Sequence, residues 1–323
     1  MKLNSLSITT VKGMRQRKLP SIVLCVCALA LLSAACTSTP VARHPPEDEH
    51  IKEVYYLPSG GSVYLWADIA LARPLVENLL SDSNFANAEQ ALDFTKAAAL
   101  VLFLEGQRGD GEMDVFLAAT GRFPLRRANF ALATSRDWEQ RKGESGAKYW
   151  HSPSSNISIT LSSRLLLASS SSLETPRTIT PPEVFGTFSA PLAISGWIPN
   201  SAALINSFAE SSSLPIQIPA TELFFGAARL PQSTAVAGRK SAPAIEEEWE
   251  LVIRIVTPSA NDARSLATLV SMARLFLQQD DTADTSNFLA LLLANAPEQS
   301  GNSLTLRTPP IKRSRIPLLF DQF

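Results

Sequence analysis

Along residues 62–168 the spacing of apolar positions switches several times between a period of two and one of about 3.6, and each switch marks an element boundary. Residues 62–67, rich in Val, Tyr and Trp, predict a strand. Residues 69–80 follow as a helix, with Leu71, Leu75, Val76 and Leu79 at helical spacing and Pro74 early in the run. Apolar strands are expected at 98–105 and 112–120, separated by the Gly-bearing turn 106–111. A helix is expected at about 124–135. Residues 147–150, 157–161 and 165–168 then read as short strands of a meander, with turns at Pro153 and near Ser163.

After Ser169 a serine run and the prolines Pro176, Pro181 and Pro182 interrupt the pattern, and then the order of elements recurs. A strand is expected at 191–197 and a helix at 200–210, with Leu204, Ile205 and Phe208 on one face. A strand at 222–230 follows. Over 245–256, Trp249, Leu251, Ile253 and Ile255 alternate with Glu248, Glu250, Val252 and Arg254, the mark of a half-buried antiparallel strand. The longest helix is expected at 260–278, where Ala263, Leu266, Ala267, Val270, Ala273 and Leu277 form one stripe. A short apolar helix at 287–294 and a strand at 303–307 close the pattern. The fold class this predicts is α+β, in two tandem modules, each an antiparallel sheet with helices mainly on one face. The modules are expected at 52–175 and 190–310, joined by a linker at 176–189 and followed by a tail at 311–323. Residues 64–80 pair with 193–209 in element order, although not in residue identity.

The first 50 residues follow a different logic. Lys2, Lys12, Arg15, Arg17 and Lys18 precede an uncharged apolar run at 22–32 that ends in small residues, the plan of a secretory signal. The run falls short of the ~20 residues a spanning helix needs. Translation from Met1 or from Met14 fits this plan. The stretch Leu31, Leu32, Ser33, Ala34, Ala35, Cys36 resembles the lipobox of bacterial lipoproteins, with Ser33 where that pattern usually has Leu. The resemblance implies that residues 1–35 are removed and that Cys36 becomes an acylated N-terminus. No Cys follows Cys36, so a lone thiol at the cleavage point gains a reason from lipidation. An ordinary secretory signal cut near Ala35 is the alternative. Residues 36–51, with Pro40, Pro45, Pro46 and the acids Glu47, Asp48 and Glu49, read as a disordered tether.

Charge narrows the partners. The chain has 29 basic and 30 acidic residues, and the first 35 carry five of the basic ones and none of the acidic ones. Removing them leaves an acidic protein without a polybasic stretch beside the anchor, which speaks against nucleic acid. Attachment is expected to rest on acyl chains.

Catalytic chemistry is poorly supplied. His44 and His50 lie in the tether and His151 is the one histidine of the folded region, so thiol catalysis, Ser-His-Asp hydrolysis and His-based zinc sites all lack parts. Ser145 to Lys148 matches S-x-x-K without its companion motifs and reads as loop into strand. Asp280, Asp281 and Asp284 match D-D-x-x-D, an array resembling the magnesium-diphosphate motif of prenyl synthases, whose second cluster is missing here; the residues read as a solvated loop. Arg108, Gly109 and Asp110 resemble integrin-binding loops and are explained equally well as turn residues. No catalytic, cofactor or metal site is expected. The function expected is that of a non-enzymatic lipoprotein of the bacterial cell envelope, held to a membrane by N-terminal acyl chains and binding a protein or envelope component. The alternatives are a carrier of a lipid or other apolar ligand, suggested by Phe103, Phe116, Phe224, Phe225 and the apolar run at 288–293, and a surface adhesin. Catalysis would require carboxylates such as Asp68, Glu105 and Asp114 to converge. The C-terminal Phe323 is like the aromatic end of outer-membrane barrels, but its neighbours do not alternate as a lipid-facing strand does.

Overall fold

The structure, a computed structural model, describes residues 56–81, 92–104, 114–143, 146–170, 192–202, 206, 219–231, 247–279 and 288–316. It divides into two compact units, Met1–Gly61 with Ser83–Thr180, and Ser62–Asp82 with Pro181–Phe323. Both are built mostly of antiparallel sheet with a few helices.

In the first unit, strands β2 (Thr95–Phe103) and β3 (Asp114–Gly121) form a long apolar pair, with Ala99 opposite Ala118 and Val101 opposite Phe116. After β3 come helix α2 (Leu125–Thr134) and the strands β4 (Glu139–Lys142), β5 (Lys148–Ser152), β6 (Ile157–Leu161) and β7 (Leu165–Ser169). Their order in the sheet is β2-β3-β7-β6-β5-β4. Strand β4 has no apolar residue and is exposed throughout, which is why periodicity does not predict it: it sits at the sheet edge, where charged side chains suit a strand with one unpaired side. Ala128 and Leu132 of α2 pack with Leu117, Ala119, Ile157, Ile159, Leu166 and Ala168. The strands thus bury alternate residues beneath the helix, as a period of two requires.

In the second unit, β1 (Val63–Asp68) leads directly into α1 (Ile69–Ser81). Asp68 makes that junction: its Oδ1 accepts hydrogen bonds from the Ala70 and Leu71 backbone N–H groups at 2.9 and 3.3 Å, satisfying donors that a helix start leaves open. β1 pairs with β8 (Leu192–Ile198), Tyr64 opposite Trp197, although well over a hundred residues separate them. Next to β8 lies β9 (Glu222–Arg229), then β10 (Glu248–Val256), which carries the long helix α3 (Ala260–Gln279), the short α4 (Phe288–Leu292) and the hairpin β11 (Glu298–Ser300) and β12 (Ser303–Arg307) after it. The sheet order is β11-β12-β10-β9-β8-β1, and the two-residue strand β13 (Ile311–Lys312) also pairs with β10. Most of the helix expected at 200–210 lies outside the described residues.

Two clusters of described residues pack in this unit. Ala72 and Leu75 of α1 pack with Ala193, Ala227, Trp249, Leu251 and Ile311. Leu266 of α3 and Leu292 of α4 pack with Ala220, Ile255, Leu304 and Leu306. Small residues let the sheet accept large ones: the Phe225 ring occupies the place a side chain at Gly196, its cross-strand partner, would need.

Candidate functional site

Helix α3 is fixed at its N-terminal end and open along its outer side. Ser259 accepts a hydrogen bond from the Asp262 backbone N–H (3.2 Å) and donates its hydroxyl to the Asp262 carboxylate (2.7 Å), a reciprocal cap on the first turn. The neighbouring hairpin holds the same corner. Thr257 donates to the Asn302 carbonyl (2.8 Å), the Asn302 amide donates back to the Thr257 carbonyl (3.0 Å), and Gln299 donates to the Ala260 carbonyl (3.2 Å). From there Ala263, Leu266, Ala267 and Val270 face the core.

On the other side Leu269, Met272 and Leu275 stand three residues apart and are 40%, 50% and 59% exposed. That spacing places all three on one side of the helix. Asp262, Arg264 and Arg274 are the only charged residues in its 20 positions. Over residues 266–275, α3 therefore carries large apolar side chains both toward the core and away from it, which a helix serving only to cover a sheet does not need.

Among the described residues, those named from sequence do not assemble into a reactive centre. Cys36, Arg108, Gly109, Asp110, Glu105, Ser145, Asp280, Asp281, Asp284, His44 and His50 lie outside the described residues. Lys148 opens β5, as a loop-into-strand position. Asp68 caps α1, and the Asp114 carboxylate accepts a hydrogen bond from Ser170 at 3.3 Å, so both have structural work in different units. Phe116 and Phe224 are core residues. Glu247 pairs with Arg229 at 2.6 Å and Glu250 with Arg307 at 3.2 Å. Among the described residues no group of three or more His, Cys, Asp or Glu is placed to hold a metal ion.

One row across the first sheet comes nearest to catalytic chemistry. His151 lies opposite Glu139 on one side and Ser158 on the other, with 3.2 Å between its Nδ1 and the Ser158 hydroxyl. Burial, then the Arg141 guanidinium, lowers the His151 pKa, and Glu139 opposes them. Ser158 is buried at 2% exposure, so this row offers no accessible nucleophile and reads as cross-strand packing.

Residues 50–172 match the family model of the outer membrane-associated lipoprotein TP0453. The chain is a lipid-anchored protein of the bacterial envelope. The lipoprotein reading of the first 36 residues is thereby supported from a part of the chain that does not contain them. Two crystal structures of TP0453 share the fold: crystal form III at 14% identity and TM-score 0.55, covering 85% of this chain and 99% of that one, and crystal form I at 15% identity and TM-score 0.53, covering 84% and 98%. No curated protein matches the sequence. No described helix is long and apolar enough to cross a membrane.

The sequence reading passed over Leu269, Met272 and Leu275. Their three-residue spacing is visible in the sequence, but so is the stripe of Ala263, Leu266, Ala267 and Val270, and only packing shows which of the two the core takes.

Proposed function

We propose that the protein is a non-enzymatic lipoprotein moored at the outer membrane through acylated Cys36, and that its second unit rests on lipid through the outer side of α3. The observation that carries this reading is the exposed run Leu269, Met272 and Leu275 in a chain already held beside a bilayer. Acyl chains and an apolar helix face reinforce one another, because a single weak membrane contact is readily reversible and two together are not. The association with an outer membrane is what the matching family's description states. The contact is interfacial: the three side chains enter the boundary region while the capped N-terminal turn stays in water.

Two measurements test the reading. Cys36→Ser is expected to move the protein from the membrane to the soluble fraction of cells. The double variant Leu269→Gln, Met272→Gln is expected to lower binding of the unacylated protein to phosphatidylcholine vesicles by about tenfold, since the two half-exposed side chains together transfer apolar area worth ~1–2 kcal/mol. Unchanged vesicle binding would remove α3 from the mechanism, and membrane retention of the Cys36 variant would remove the anchor.

A further inference from the structure

The first unit carries a surface of opposite character. Between Gly121 and Ser152 there are seven basic and three acidic residues, in a chain whose total charge is close to neutral. The fold concentrates them further. On α2, Ala128 and Leu132 face the core, so the crest of the helix is Phe130, 70% exposed, with Arg126 and Arg127 four and three residues before it, both exposed. Trp150 of β5 reaches the same helix, its indole N–H donating to the Asn129 side chain at 3.3 Å. Side chains alternate along a strand, so Lys148, two residues from Trp150, and Lys142, its cross-strand partner, lie on the Trp150 side of the sheet. Glu139 lies on the opposite side, where Arg141 pairs with it at 3.1 Å. Pleating thus removes the nearest acid of β4 from the basic face.

We propose that this face of α2, β4 and β5 binds the anionic headgroups of a phospholipid bilayer, with Phe130 entering the interface beside the two arginines. The inference rests on the reading of the chain as a membrane-held protein and adds a lipid preference to it. Charge complementarity selects the ligand: two exposed arginines within a turn of an exposed aromatic ring, with two lysines on the helix side of the strands beneath, suit phosphate groups above an apolar layer. Arginine suits phosphate because its fork of N–H donors can bind two oxygens at once. A free acidic protein would use the charges but would leave Phe130 in water unless it brought an apolar pocket.

The test compares the full chain carrying Cys36→Ser on vesicles of phosphatidylcholine alone and of phosphatidylcholine mixed with phosphatidylglycerol. Tighter binding to the mixed vesicles is expected, with the preference disappearing toward ~1 M salt, where the screening length falls to about 3 Å. Arg126→Gln with Arg127→Gln should reduce that preference by about tenfold and leave binding to phosphatidylcholine alone nearly unchanged. Lys142→Gln with Lys148→Gln, on separate elements, should reduce it again, and a far-UV spectrum identical to that of the parent keeps both variants interpretable. An equal affinity for both vesicle types, or a preference that survives all four substitutions, overturns the proposal. So does loss of an envelope partner on cross-linking without any change in vesicle binding, which would assign the face to a protein. Failure of the α3 reading is separate, because it appears on phosphatidylcholine alone.

Discussion

The two units both lay a helix over an antiparallel sheet and then turn different chemistry outward. Helix α2, with ten residues, has an exposed phenylalanine one turn after two arginines and starts at Pro124 without a side-chain cap. Helix α3, with twenty, has an exposed run of three large apolar residues, three charges in all, and a reciprocal cap at Ser259 and Asp262. The buried stripe of each helix answers to the fold, which leaves the outward side free to answer to something else. Salt and lipid charge should therefore act on the first unit, whereas apolar surface acts on the second.

Substitutions in each unit can break or sharpen that contrast. The largest effect is expected in the cores. Trp249, fully buried among Ala72, Leu75, Ala193 and Ile311, should cost about 3–5 kcal/mol as Trp249→Ala, and Leu166→Ala in the first unit about 2–5 kcal/mol, both read from denaturant midpoints. The Trp249 indole N–H has no hydrogen-bond partner among the described residues, so Trp249→Phe should recover most of the loss. If Trp249→Ala were harmless, the second unit's helices would not depend on the core assigned to them.

Gly196→Ala comes next, at about 1–3 kcal/mol, because the Phe225 ring must move to admit a methyl group. Thermal unfolding would measure it. Ser259→Ala should cost about 0.5–2 kcal/mol and fray the start of α3, seen as faster amide exchange at Asp262 and Ala263. The corresponding change at Pro124 has no side-chain cap to remove, so the two helices should respond differently.

The smallest effect concerns acid. His151 has its pKa lowered below 6.5, first by burial and then by Arg141. The unfolded chain then binds the proton more tightly, so the stability gained from a neutral His151 is present above pH 6.5 and declines as pH falls below it. His151→Gln should flatten that decline slightly while leaving stability near pH 8 unchanged, which urea titrations at several pH values would resolve.

Much of the local structure was legible because alternation and helical spacing are strong where one side is buried. The strand of Trp249, Leu251, Ile253 and Ile255 and the helix carrying Ala263, Leu266 and Val270 both stand in the sequence. Strand β4 does not, because Glu139, Gln140, Arg141 and Lys142 have no apolar period and are held in extended form by β5 alone. What the sequence does not tell is the work of its acids: Asp68 caps the start of α1 and Asp114 accepts a hydrogen bond from Ser170.

By itself the chain's order of residues determined that there would be antiparallel strands with a few helices, since these depend on short-range spacing. Tertiary structure decided the rest. It paired Tyr64 with Trp197 and so grouped residues 62–82 with the second unit, and it chose which stripe of α3 the core would take. It also put Lys142 and Lys148 on the side of the sheet that Trp150 shares with α2. These outcomes depend on contacts between residues far apart in the chain, and periodicity says which residues share a face but not what that face will meet.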